Sequence, residues 1–290
     1  MNTTKKDPAV WVKTIIEKFL NDPAENTLQD KTNQRAWAEP LIGFSNGADP
    51  LFQFYKQDIG EFYLLPEELF VYTYPKITFT PEQLTVISWI LPHTDVTKAE
   101  HRDQTKFPTE RWARARIYGE EVNDNLRSYL VKKLTKEGFP ASAPILSPLW
   151  HRTISDKYFI ASTWSERHAA YTAGLGTFGL CDGLITPKGK AMRCGSVIAK
   201  INIKPSERVY DDPYAYCLFY MKGTCGDCIN RCPCGAISEK GHDKEKCRKY
   251  LRKTTQYYVQ KYFNFKGYGC GLCQTGVPCE SGIPPELLLK

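Results

Sequence analysis

The sequence predicts a mixed α/β (α+β) fold in two parts, a larger α/β domain over residues 1–205 and a cysteine-dominated module over 206–290. Three observations predict it. An amphipathic helix, a buried strand and a long helix follow one another in the first half. Strand patterns recur between Asp182 and Ile203. Of 11 cysteines, all but Cys181 and Cys194 fall between Cys217 and Cys279. At 290 residues the chain has room for two domains of ~150 residues each. Its 42% hydrophobic and 24% charged residues are the balance of a folded globular protein. No apolar run approaches the ~18 residues of a spanning helix, so no membrane is expected.

The elements follow in order. Asp7 before Pro8 is a helix cap with proline in the first turn, and Val12, Ile15, Ile16 and Phe19 repeat at helical spacing behind it. Between Asn26 and Pro81 the prolines Pro40, Pro50, Pro66 and Pro75 break the chain into loops and short helices. Leu84 to Leu91 is short, apolar and rich in β-branched residues, which predicts a buried strand. After Pro108, Trp112, Val122, Leu126, Leu130 and Leu134 share one face of a helix that Gly138 and Pro140 end. Ser165 caps a short helix to Ala173, and Gly174-Leu-Gly176-Thr-Phe-Gly179 then breaks it. Strands are expected at Asp182–Thr186 and Ser196–Ile203 around a turn at Pro187-Lys-Gly189, with a helix over Asp243–Phe263.

The opening residues carry no apolar core, cleavage site or twin-arginine pair, which predicts a cytoplasmic protein. In that reducing compartment clustered cysteines are metal ligands or redox catalysts before they are disulfides. A net charge of +7 would attract an anionic partner without selecting one. The densest run, Lys244 to Lys253, is equally a solvated helix face.

The cysteines are arranged as Cys217-x7-Cys225-x2-Cys228-x3-Cys232-Pro233 and Cys270-x2-Cys273-x5-Cys279, with Cys247 between. Bacterial ferredoxin runs also end in Cys-Pro, and there that cysteine ligates the other cluster. Two groups with crossing ligands supply two [4Fe–4S] clusters. One takes Cys217, Cys225, Cys228 and Cys279; the other takes Cys232, Cys247, Cys270 and Cys273. Cys234 is spare and could replace Cys217, whose seven-residue gap is unusual. Structural zinc on Cys225, Cys228, Cys270 and Cys273 would leave the remaining thiols unexplained. A thioredoxin-type pair lacks its strand-to-helix setting. Cys181 and Cys194 read as small buried residues.

Gly174-x-Gly176-x-x-Gly179 matches a dinucleotide fingerprint by letters, but a helix precedes it where a strand is required. A turn that admits a flat cofactor is the better use. His168, beside Glu166 and Arg167, is an acid–base candidate or a helix-start residue bonded to its neighbours.

Residues Ala169 to Gly179, Cys225-Gly-Asp-Cys-Ile-Asn-Arg-Cys-Pro-Cys-Gly-Ala-Ile237, Cys247-Arg-Lys-Tyr-Leu251 and Gly269-Cys-Gly-Leu-Cys273 resemble the epoxyqueuosine reductase family, relatives of the reductive dehalogenases. Arg111-Trp-Ala-Arg-Ala-Arg-Ile-Tyr118 is similar to that family's arginine-and-tyrosine helix, so the resemblance covers about residues 110 to 280. It implies a nitroreductase-like, cobalamin-binding α/β core over 1–205 and a ferredoxin-like module with two [4Fe–4S] clusters over 206–290. Electrons from a reduced ferredoxin or flavodoxin-type donor would pass through the clusters to cobalt and reduce a small organic substrate or modified nucleoside. Tyr118 is then the first candidate proton donor, with Glu166, His168 and Tyr171 near the cofactor and Arg116, Gly174, Gly176 and Gly179 holding it. The sequence departs from the family at three places. Ile160 stands where the family's proton-donating aspartate aligns, and Gly119 where a histidine follows the tyrosine. The sequence runs to Lys290 without the helical-repeat region that helps bind tRNA, so a small-molecule substrate is expected before a tRNA. The competing expectation is a ferredoxin-like electron-transfer protein that feeds a partner enzyme and has no substrate chemistry of its own.

Overall fold

The structure, a computed structural model, describes residues 7–288. Residues 1–6, part of the segment read for an export signal, lie outside it. The first helix, α1 (Pro8–Asn21), starts where the cap predicts: the Asp7 carboxylate accepts from the amide of Ala9 at 2.9 Å, and Val12, Ile16, Phe19 and Leu20 are buried. Then come β1 (Leu41–Asn46), α2 (Pro50–Ile59), α3 (Pro66–Thr73), β2 (Thr85–Pro92), α4 (Asp95–Arg102) and α5 (Glu110–Lys136). The next stretch holds β3 (Ala141–Ser142), the hairpin of β4 (Arg152–Ser155) and β5 (Phe159–Ser162), and α6 (Glu166–Thr172). After it lie the short pair β6 (Thr177–Phe178) and β7 (Leu184–Ile185), and β8 (Met192–Ala199). The tail is built of α7 (Leu218–Lys222), α8 (Asp227–Asn230), β9 (Ile237–Ser238), β10 (Gly241–His242), α9 (Lys244–Tyr250) and α10 (Gln256–Phe263).

The architecture is mixed α/β. A four-stranded sheet in the order β1-β2-β8-β3 pairs antiparallel throughout. Alternation along its strands feeds two cores. Ile87, Trp89, Leu91, Val197 and Ala199 join Val12, Ile16, Leu126 and Leu130 of α1 and α5 on one face. Val86, Ile90, Cys194 and Ile198 join Phe52, Leu69 and Ala170 of α2, α3 and α6 on the other.

The short β3 leaves part of β8 without a strand neighbour, and side chains fill the gap. The Cys194 carbonyl accepts from Asn123 Nδ2 at 3.0 Å and from the Arg127 guanidinium at 3.2 Å. Ser196 Oγ donates to Glu166 at 2.5 Å, and Glu166 pairs with Arg127 at 3.1 Å. At the opposite edge Ser206 exchanges two bonds with the Phe44 backbone, 3.0 and 2.8 Å long.

The expected strand at Leu84–Leu91 and helix after Pro108 are present as β2 and α5. Four expectations need correction. The proline-rich stretch contains β1, whose Gly43 interrupts the β-branched pattern because a Cβ there would meet the Ala173 carbonyl at 2.5 Å. The last long strand begins at Met192, since Met192 and Cys194 belong to the core, and it ends at Ala199, so Lys200–Ile203 leave the sheet. The Asp182–Thr186 strand shortens to β7, bound to β6 inside the glycine turn. The helix over Asp243–Phe263 is split by a π-turn at Leu251–Thr255.

Candidate metal centre

The tail brings distant cysteines together because its helices are too short to bury a face of their own. Cys217 precedes α7, Cys225 lies before α8, Cys228 lies within it, and Cys279 comes from the closing segment. These four line one pocket with Leu180, Ile185, Leu218, Phe219, Val277 and the side chain of Lys190. Beside it, Cys181 and Cys273 belong to the same buried cluster.

Lys190 is only 3% exposed. Its Nζ donates to Cys181 Sγ at 3.5 Å, and the charges that raise its pKa well above a lysine's usual value, against the opposing effect of burial, are all cysteine sulfurs: Cys181, Cys279, Cys273 and Cys228. Hydrogen bonds from Cys228 and Cys273 hold the Cys181 thiol well below its usual pKa, with burial opposing and Lys190 assisting. The Cys228 and Cys273 thiols are in turn raised by Cys181 and by burial, and burial pushes Cys279 up to about 11. The buried ammonium of Lys190 is the cation these sulfurs share.

A second group surrounds Cys232. Cys234 Sγ lies 3.8 Å from Cys232 Sγ, and Cys247 and Cys270 lie within electrostatic reach of both. Burial, first, and those neighbours push Cys270 up to about 12. Cys273, expected with this group, stands between the two: Cys181, burial and Cys270 all raise the pKa of its thiol. Cys234 stands with the second group. Cys194 is a core residue of β8, its thiol 3.6 Å from Met192 Sδ and pushed by burial to about 12. Among the described residues no three His, Cys, Asp or Glu side chains converge closely enough for a single metal ion.

Residues outside the cysteine pattern fix these loops. Trp112 of α5 is stacked between His101 and His93, with centroids 4.2 and 4.0 Å away. His101 Nε2 meets the Cys270 carbonyl at 2.7 Å, and burial lowers its pKa to about 4, so the neutral ring donates there. Gly271 has φ +69° and lies flat on Trp112, where a Cβ would approach ring atoms to 2.1 Å. Arg231, between Cys228 and Cys232, donates to the carbonyls of Leu272, Thr275 and Arg102 at 2.9–3.1 Å. Glu280, buried beside Cys279, pairs with Arg102 at 2.5 Å. His101, Arg102, Lys190 and Glu280 belong to none of the motifs in the sequence, and Arg231, inside the Cys225–Ile237 segment, carries no sequence signal of this role.

The other candidates divide among separate places. Tyr118 packs on Phe265 of the tail, 5.6 Å between centroids, under Arg114. Arg116 donates to the Tyr268 hydroxyl at 2.8 Å. Glu166 belongs to the Arg127 network at the sheet edge, where burial raises its pKa. His168 is enclosed by Tyr55, Tyr63 and Phe178, accepts or donates at Ser165 Oγ at 2.7 Å, and is held by burial, then Arg167, at about 3. Tyr171 is buried and its carbonyl accepts from Tyr210. Gly174 (φ +75°) and Gly176 admit the chain's own backbone: Cβ atoms there would meet the carbonyls of Glu207 and Ile185 at 2.4 and 2.2 Å, and one on Gly179 would touch Ile185.

No family model matches the sequence. The epoxyqueuosine reductase of Bacillus anthracis is 32% identical over 124 residues, 41% of this chain and 30% of that protein. Over that segment the chain is similar to the epoxyqueuosine reductases. That of Leadbetterella byssophila is 27% identical over 201 residues, 64% of this chain and 56% of that protein. The matches thus span between less than a third and a little over half of the epoxyqueuosine reductases themselves. The solved epoxyqueuosine reductase of Bacillus subtilis superposes over 95% of this chain and 68% of its own, at 18% identity and a TM-score of 0.47, too loosely to carry an argument.

Proposed function

We propose that the chain is an iron–sulfur oxidoreductase of epoxyqueuosine reductase type, with two [4Fe–4S] clusters that deliver electrons to a small organic substrate or a modified nucleoside. The observation that carries this is the pocket lined by Cys217, Cys225, Cys228 and Cys279 together with the buried Lys190, the charges that raise its pKa most being cysteine sulfurs. Cys232, Cys247 and Cys270, with Cys273 or Cys234 as the fourth thiol, would hold the second cluster. The clusters supply one-electron transfer; the protein orients the thiols and shields them with Leu180, Ile185 and Val277.

A corrinoid fits less well. At the glycine turn the room for a flat cofactor is filled by the Glu207 and Ile185 carbonyls, and Arg116 and Tyr118 face the tail. That filled turn favours, as a second reading, an electron-transfer protein that serves a partner enzyme.

Anaerobic purification and reconstitution tests both readings. About eight iron atoms per chain are expected, and a colourless, iron-free protein would overturn the cluster reading. Turnover of epoxyqueuosine with a reduced flavodoxin-type donor, with and without added cobalamin, separates enzyme from adaptor. Product in either arm supports the enzyme; rapid cluster oxidation by partners without product supports the adaptor.

A further inference from the structure

We propose that Lys190 is the resident countercharge of the Cys217, Cys225, Cys228 and Cys279 centre and makes that centre more readily reduced. The inference rests on the cluster reading above and adds to it a residue that no cysteine pattern contains.

Lys190 reaches the pocket from the turn between β7 and β8. Its own amide donates to the Cys279 carbonyl at 2.9 Å, so backbone and side chain are fixed by the same segment. Its ammonium is buried and bonds to Cys181 Sγ, and the charges that raise its pKa most are four cysteine sulfurs. A buried charge needs a partner. Here the partner is Cys181 Sγ and, in the same pocket, any anionic cage that Cys217, Cys225, Cys228 and Cys279 hold.

The second group has its own cations: His242 beside Cys247, bonded to Asp182 Oδ2 at 3.1 Å, and Lys246, whose Nζ donates to the Gly235 carbonyl at 3.1 Å next to Cys234.

Reduction adds one electron, from an external one-electron donor such as dithionite or a reduced flavodoxin-type protein, to a cage that gains one negative charge. No bond is made or broken. The added charge would be attracted by an ammonium that lines the same buried pocket, and the oxidised form less so. The midpoint of this centre is therefore held up.

The experiment is an anaerobic redox titration of the reconstituted full chain, followed by electron paramagnetic resonance, in wild type, Lys190→Met, Lys190→Gln and Lys190→Arg. At the wild-type midpoint of the affected centre, the neutral variants should show a reduced-to-oxidised ratio about tenfold lower or more. Iron and sulfide should be unchanged, the second midpoint should not move, and Arg should restore the wild-type value. Lys190→Gln keeps the test open where the methionine variant does not fold. Unmoved midpoints in an iron-loaded neutral variant overturn the inference while leaving the cluster reading intact. So does loss of iron in both neutral variants with full loading in Lys190→Arg, because the charge then serves assembly. A wild-type protein that binds no iron overturns both.

Discussion

Cys181 and Cys279 belong to one buried cluster but stand in different places. Cys279 lines the pocket wall with Cys217, Cys225 and Cys228, whereas Cys181 lies outside that lining and accepts from Lys190 Nζ. Cys279→Ser should lower reconstituted iron to about half, and Cys181→Ser should leave it close to wild type, both read by metal analysis. Equal losses would make Cys181 a ligand. Gly271 is the other sensitive position. Alanine there must adopt a left-handed conformation and also push into Trp112, so Gly271→Ala should cost about 1–3 kcal/mol in urea unfolding. Cysteine identity and Cys-Pro spacing could be seen in the sequence because ligation depends on residue type. Lys190 could not, because an isolated lysine has no periodicity and its role depends on a turn folding back over the pocket.

Helix α5 and strand β8 depend on each other through Asn123. Its Oδ1 accepts from Trp89 Nε1 at 2.9 Å and its Nδ2 donates to the Cys194 carbonyl, all of them buried. Asn123→Ala would strand a buried indole N–H, and a loss of about 1–3 kcal/mol is expected by chemical denaturation. Asn123→Asp restores the acceptor but not the donor, and should recover part of it. Helices α1 and α5 were readable in advance, because Asp7 and Pro8 mark one start and the Trp112-to-Leu134 stripe marks one buried face. Strand β1 was not, since Pro40 and Gly43 hide it; its glycine answers to the end of α6, more than a hundred residues away. The limits of β8 were misplaced for a related reason: Met192 and Cys194 are bound into the sheet by β2, a pairing no local pattern encodes.

For the molecule as a whole, acid should be destabilising well above the carboxylate range. His168 is neutral in the folded chain down to about pH 3, against an ordinary value of 6.5. Between these limits the unfolded chain binds a proton that the folded chain does not, so stability is full above about pH 6.5 and declines as pH falls toward 3. A thermal unfolding series across that range should show the decline, and His168→Phe should flatten it; an unchanged slope would remove His168 as its source. No helix among the described residues is long and apolar enough to cross a membrane. How firmly the cysteine-bearing tail joins the rest is not visible in composition, because the Arg102–Glu280 and Arg231–Arg102 contacts span well over a hundred residues each. The plugged margins of the central sheet have a consequence for crowding. With the Cys194 carbonyl occupied by a carboxamide and a guanidinium, and Phe44 by a serine, a neighbouring copy finds no template on which to add a rung. Fibre-like self-assembly must therefore wait until those side chains let go.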